Sequence, residues 1–147
     1  MLNQETKKHF DKGIKTLNKG NILAALSFFE KALKIEENPV ISSFFAFCIA
    51  KERGQVQKAI SLCKDAIKED PEKSFHYLNL GKIYLLEKEK EEAVNIFRQG
   101  LQYEENQQIV DELNKLGTRK SLILPFLKRS NFINKYLGLI LNRFKVR

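Results

Sequence analysis

The sequence predicts an all-α protein, a right-handed superhelical stack of antiparallel helix hairpins, and two observations carry that prediction. The first is a repeat. Residues of matching size return at an interval of 34: Ala25, Ala59 and Ala93; Ala32, Ala66 and Gly100; Gly13 and Gly81, with Phe47 between them; Phe29 and Phe97, with Cys63 between them. Self-similarity sustained at this length marks a solenoid whose unit is a helix, a turn and a second helix. The second observation is punctuation. Gly20 and Gly54 stand in mid-repeat and Pro39 and Pro71 at repeat ends, with apolar residues at helical spacing between them.

Three repeats follow, at about 6–39, 40–73 and 74–107. In the first, Gly20 takes the left-handed conformation that closes a helix, and Asn21 caps the next, whose Leu26, Phe29 and Leu33 share a face. Pro39 starts the second repeat, because proline fits a first helical turn and biases the residue before it away from helix. The third repeat has Lys88 where the turn glycine stood, inside the run Glu87 to Glu92, which reads as a solvated turn and helix start. Ile109, Val110, Leu113 and Leu116 then predict a seventh, amphipathic helix within 108–117 that covers the open flank of the last hairpin. These elements make residues 1–117 one unit. Beyond it, Pro125 disfavours helix at Leu124, so Leu122 to Leu127 reads as extended or irregular, and Ser130 as the cap of a final helix.

Charge divides the chain at the same place. Of the 26 Lys and Arg residues, 18 lie up to Gly117, matching all 18 Asp and Glu, and the excess of +8 belongs to 118–147. Met1 to Lys8 is polar and charged, unlike a secretory signal, and no apolar run approaches the roughly 18 residues of a membrane span, so the expected location is cytoplasmic. Cys48 and Cys63 make no metal-ligand spacing and read as reduced structural thiols. His9 and His76 lie far apart, and there is no His-Glu-x-x-His pair and no glycine-rich phosphate loop. No catalytic residue, metal site or cofactor is expected.

Tyr77, Leu80, Gly81, Tyr84, Ala93, Phe97 and Gly100 have the order and spacing of a tetratricopeptide repeat, and the chain from Thr6 to Gln107 resembles that family, with the third repeat nearest to its pattern. The resemblance implies a non-enzymatic protein-protein interaction scaffold whose concave groove is lined by the first helix of each hairpin. Carried over by column, the groove residues are Phe10, Ile14, Leu17, Ile41, Phe44, Cys48, Phe75, Leu78, Lys82 and Leu85. Most are apolar, so the expected ligand is an apolar peptide or amphipathic helix. Chaperone-binding members clamp a terminal carboxylate with Lys, Asn and Arg; Phe10, Ile14 and Phe45 stand at such positions here and argue against that clamp. The family usually has glycine at the position of Phe47, which implies a locally wider packing angle or a rotated first helix in the second repeat.

The tail, 118–147, resembles the terminus of some small bacterial repeat proteins along Arg119, Lys120, Pro125 to Leu127, Arg129 to Asn131 and Asn134 to Gly138. A helix over its end groups Phe132, Ile133, Tyr136, Leu137, Leu139, Ile140, Leu141 and Phe144 on one broad arc, with Asn134, Gly138, Asn142, Lys135 and Lys145 opposite. That polar stripe is less cationic than those of membrane-surface helices, so the expectation is an amphipathic segment packed on the array or on a second copy of the chain. Attachment to an anionic membrane or to nucleic acid through Arg119, Lys120, Lys128 and Arg129 is the alternative.

Overall fold

The computed structural model describes residues 1–117, and over them the chain is helical. Its helices are α1 Gln4–Asn18, α2 Ile22–Ile35, α3 Pro39–Arg53, α4 Val56–Glu69, α5 Ser74–Leu86, α6 Lys90–Tyr103 and α7 Gln107–Lys115. They form three hairpins, α1 with α2, α3 with α4 and α5 with α6, stacked so that α3 also packs on α2 and α5.

Helix starts are written in asparagine. Asn3, Asn21, Asn38 and Asn106 each offer a side-chain oxygen to the first free N–H groups of the helix that follows, as Asn38 does to Val40 at 2.9 Å and Ile41 at 3.3 Å. Such caps are worth about 1 kcal/mol each. Pro39 follows Asn38 directly, at a position whose N–H would have no helical partner.

The start of α5 lacks a cap of its own: Lys73 makes no side-chain bond there. Glu104, at the end of α6, reaches back instead, its Oε2 accepting from the Ser74 N–H at 2.9 Å and the Ser74 hydroxyl at 2.7 Å. Asn106 Nδ2 then donates to Ser74 Oγ at 2.9 Å. In the first hairpin Glu36 Oε1 likewise accepts from the Asn3 N–H at 3.0 Å. Glu36 and Glu104 stand two periods apart, and each ties the end of its hairpin to the beginning.

Each hairpin turns through one residue at positive φ: Gly20 at 85°, Gly54 at 67° and Lys88 at 62°. The geometry is that of the glycine turn even where glycine is missing. A side chain in this region costs roughly 1 kcal/mol, and packing of the hairpin on either side holds Lys88 there.

Within the hairpins, size alternates. A Cβ at Gly13 would stand 2.5 Å from the Phe29 ring, and one at Gly81 only 2.2 Å from that of Phe97. These glycines exist to let a phenylalanine through. The middle hairpin reverses the assignment, with Phe47 on the first helix and Cys63 on the second, both in the core. The extra bulk of Phe47 is accompanied by a smaller residue in the column of Phe29 and Phe97, and α3 still pairs with α4 as a hairpin. On the last hairpin, α7 buries Ile109 and Leu113 completely, with Ile109 against Gly100 of α6.

Candidate functional site: an aromatic groove across three helices

The first helices of the hairpins run side by side, and each turns one stripe, part of it core, toward a common groove. On α1 the stripe is Phe10, Ile14 and Leu17; on α3 it is Val40, Phe44, Phe47 and Lys51; on α5 it is Phe75, Leu78 and Lys82. Together they line a groove of about 740 Å³, with Asp11, Asn18 and Ile22 on its α1 side and Gln108 of α7 at its edge.

The floor is a row of rings. Phe10 lies 5.7 Å from Phe44, and Phe44 lies 5.4 Å from Phe75, at tilted and edge-on angles that suit the positive rim and negative face of aromatic rings. Phe29 supports the row from beneath, 5.9 Å from Phe10 and 5.8 Å from Phe44. Phe75 remains 37% exposed at the end of the row. What sets this ring apart from the other exposed apolar side chains is that it continues a row of packed rings.

The polar groups are unevenly placed. Asp11 is held by Lys7 at 2.8 Å. On the far side Lys82 lays its ammonium over the face of Phe47, 4.7 Å from the ring centre, an arrangement favoured by the ring's quadrupole. Burial pushes the Lys82 pKa below its ordinary value, against the opposing pull of Glu112. Lys51, one turn past Phe47, is exposed.

Seven of the ten residues expected in the groove line it: Phe10, Ile14, Leu17, Phe44, Phe75, Leu78 and Lys82. Ile41 and Cys48 do not, being fully buried, and Leu85 is half-buried outside the lining. The reason is rotation. Column transfer assumes that every first helix shows the groove the same face, but α3 is enclosed by neighbours and presents 40, 44, 47 and 51, a stripe that keeps 44 and 51 but is turned enough to replace 41 and 48 by 40 and 47. Phe47 was missed because its column holds interhelical glycine in both other hairpins. Arg119, Lys120, Lys128 and Arg129 lie outside the described residues.

The remaining reactive groups are packing groups. Burial drives the Cys48 thiol up to about 12 and that of Cys63 higher, so both stay protonated and unreactive near neutrality. His76 is buried in α5, and burial lowers its pKa, which keeps the ring neutral. His9 stacks on Phe28 at 6.4 Å, away from the groove. Among the described residues no cluster of His, Cys, Asp and Glu is arranged to hold a metal ion, and no helix is long and apolar enough to cross a membrane.

Against known proteins, the tetratricopeptide repeat family model matches residues 50–113. Over residues 50–113 the sequence matches the tetratricopeptide repeat. This repeat is a protein-interaction module and not an enzyme fold. No curated protein matches the chain in sequence. Among solved structures it is similar to the Sgt2 TPR domain from Aspergillus fumigatus, at 21% identity and a TM-score of 0.63, over 83% of this chain and 82% of that one. It is also similar to the first TPR of Spaghetti (RPAP3) bound to the HSP90 peptide SRMEEVD, at 21% identity and a TM-score of 0.61, over 82% of this chain and 99% of that one. The TPR2AB domain of yeast Sti1, in a complex with pHSP90, gives 18% identity and a TM-score of 0.58 over 80% of this chain and 47% of that one. At these identities the likeness is one of fold.

Proposed function

We propose that this chain is a non-enzymatic protein-protein interaction scaffold that holds an apolar peptide or amphipathic helix in the groove across α1, α3 and α5. The observation that carries this reading is the row Phe10, Phe44 and Phe75, which leaves Phe75 open to water at the mouth of an apolar groove. Burying such a ring is worth roughly 2 kcal/mol, and a row of them favours any segment that supplies an apolar ridge. Peptide-bound relatives of the same fold lend the reading its precedent. The mode of capture differs from a clamp on a chain terminus, since Phe10 and Ile14 put hydrocarbon where such a clamp needs donors.

The experiment is a titration of full-length protein with helix-forming amphipathic peptides, comparing wild type with Phe75→Asp. Phe75 is exposed, so the variant keeps its fold, and affinity should fall at least about tenfold. Unchanged affinity in Phe75→Asp would contradict the groove. Attachment through the basic residues after Gly117 would instead weaken steeply as salt rises, whereas groove binding should change little.

A further inference from the structure

Two cations in this apolar groove lack an anion. Ion pairs among the described residues join Lys7 to Asp11, Arg53 to Glu30 and Lys115 to Glu112, and none of these includes Lys51 or Lys82. Glu112 is near enough to act on the charge of Lys82 but is taken by Lys115 at 3.4 Å. Lys82 is partly stripped of water and is in direct contact with the face of Phe47 but, among the described residues, with no carboxylate. A desolvated ammonium gains most from a carboxylate delivered with the ligand.

The placement of these lysines defines a pattern. On α3 the stripe runs Phe44, Phe47, Lys51, and on α5 it runs Phe75, Leu78, Lys82, each apolar toward the helix start and cationic toward its end. The groove is thus aromatic along one side and basic along the other.

Resting on the scaffold reading above, we propose that the groove's partner is an amphipathic helix whose apolar stripe covers Phe10, Phe44 and Phe75 and whose flanking Asp or Glu side chain pairs with Lys82 and Lys51. The complementarity is local, because residues up to Gly117 are balanced at 18 basic and 18 acidic. It also decides between candidate occupants. The chain's own residues 118–147 bring eight Lys and Arg and no Asp or Glu, so they repeat the charge of the groove's basic side instead of answering it.

The test uses full-length protein and a synthetic amphipathic peptide of about 16 residues, which as a helix is about 24 Å long and spans three helices set 8 to 10 Å apart. It carries one Glu beside a Leu/Phe stripe; Gln and Lys versions of that position and the 118–147 peptide are compared by fluorescence anisotropy. The Glu peptide should bind about tenfold tighter than the Gln peptide, and the Lys peptide weaker still. Lys82→Gln should remove the Glu-over-Gln preference and Lys51→Gln should reduce it, while Lys64→Gln, exposed on α4, should leave it intact. Lys51 is itself exposed, so that variant folds even if Lys82→Gln does not. Equal binding of the Glu and Gln peptides overturns the lysine anchor and leaves the groove reading standing. Tightest binding by the 118–147 peptide overturns the choice of partner, and binding by none of the peptides overturns both readings.

Discussion

The middle hairpin and its two neighbours solve one packing problem in opposite ways. In the outer pair a glycine on the first helix admits a phenylalanine from the second, Gly13 with Phe29 and Gly81 with Phe97. In the middle the phenylalanine is on the first helix, and cysteine stands in the column that holds phenylalanine in the other two. The difference bears on function, because a large side chain moved from the second helix to the first reaches the groove. Phe47 becomes both core and lining, and gives Lys82 its ring. What a family pattern would score as a defect puts a further aromatic ring in the groove lining.

That comparison breaks most sharply by exchanging the pair. Gly81→Phe should cost about 3 kcal/mol or more, since even a Cβ there meets Phe97 at 2.2 Å, and Phe97→Cys should cost about 3 kcal/mol by leaving a cavity. Combined, they should cost less than their sum by about 2 kcal/mol, read from urea midpoints in a double-mutant cycle. Strict additivity would show that the large-small exchange in the middle hairpin is no compensation.

Next in size is the shared small column. Ala93 is fully buried where α5 meets α6, and Ala93→Leu should destabilise by about 1 to 3 kcal/mol, while Lys90→Leu, exposed at the start of α6, should stay near wild type. Equal effects would misplace the contact line.

The glutamate tie sharpens the comparison between hairpins. Glu104→Ala should cost about 1 to 2 kcal/mol, because it frees the start of α5, which Lys73 does not cap. Burial alone would raise the Glu104 carboxyl, but its hydrogen bonds from Ser74 prevail and hold it below 4.5. The folded state therefore binds the proton less readily than the unfolded one, so this contribution is complete above pH 4.5 and lost as pH falls through the lowered value. A wild-type protein and a Glu104→Ala variant with parallel stability curves below that pH would contradict it.

The smallest effect is a gain. Lys88 sits at φ 62° where the other hairpins have glycine, so Lys88→Gly should stabilise by up to about 1 kcal/mol. A loss of stability by thermal melting would mean that the lysine side chain, and not the turn geometry, holds α5 to α6.

Much of this was legible in the residues. The 34-residue columns placed every hairpin, and Gly20, Asn21 and Pro39 marked ends that the structure reproduces, because turn and cap chemistry is local. The pair Glu36 and Glu104, two periods apart, went unread, since its meaning lies in a bond back across a whole hairpin. The face that α3 shows the groove was not legible at all: whether Cys48 or Phe47 points outward depends on how tightly α2 and α5 enclose that helix. The same holds for Gln108, which reaches the groove only because α7 docks on α6.

The central claim is that binding happens on the Phe10, Phe44 and Phe75 row with its basic side, and chemical-shift mapping of full-length protein during titration with the Glu-bearing amphipathic peptide tests it most directly. The shifts should concentrate on Phe10, Phe44, Phe47, Lys51, Phe75 and Lys82, with the Lys82 ammonium returning toward an ordinary lysine pKa as it gains a carboxylate. Shifts confined to the outer faces of α2, α4 and α6, or to residues after Gly117, with the aromatic row unmoved, would contradict it.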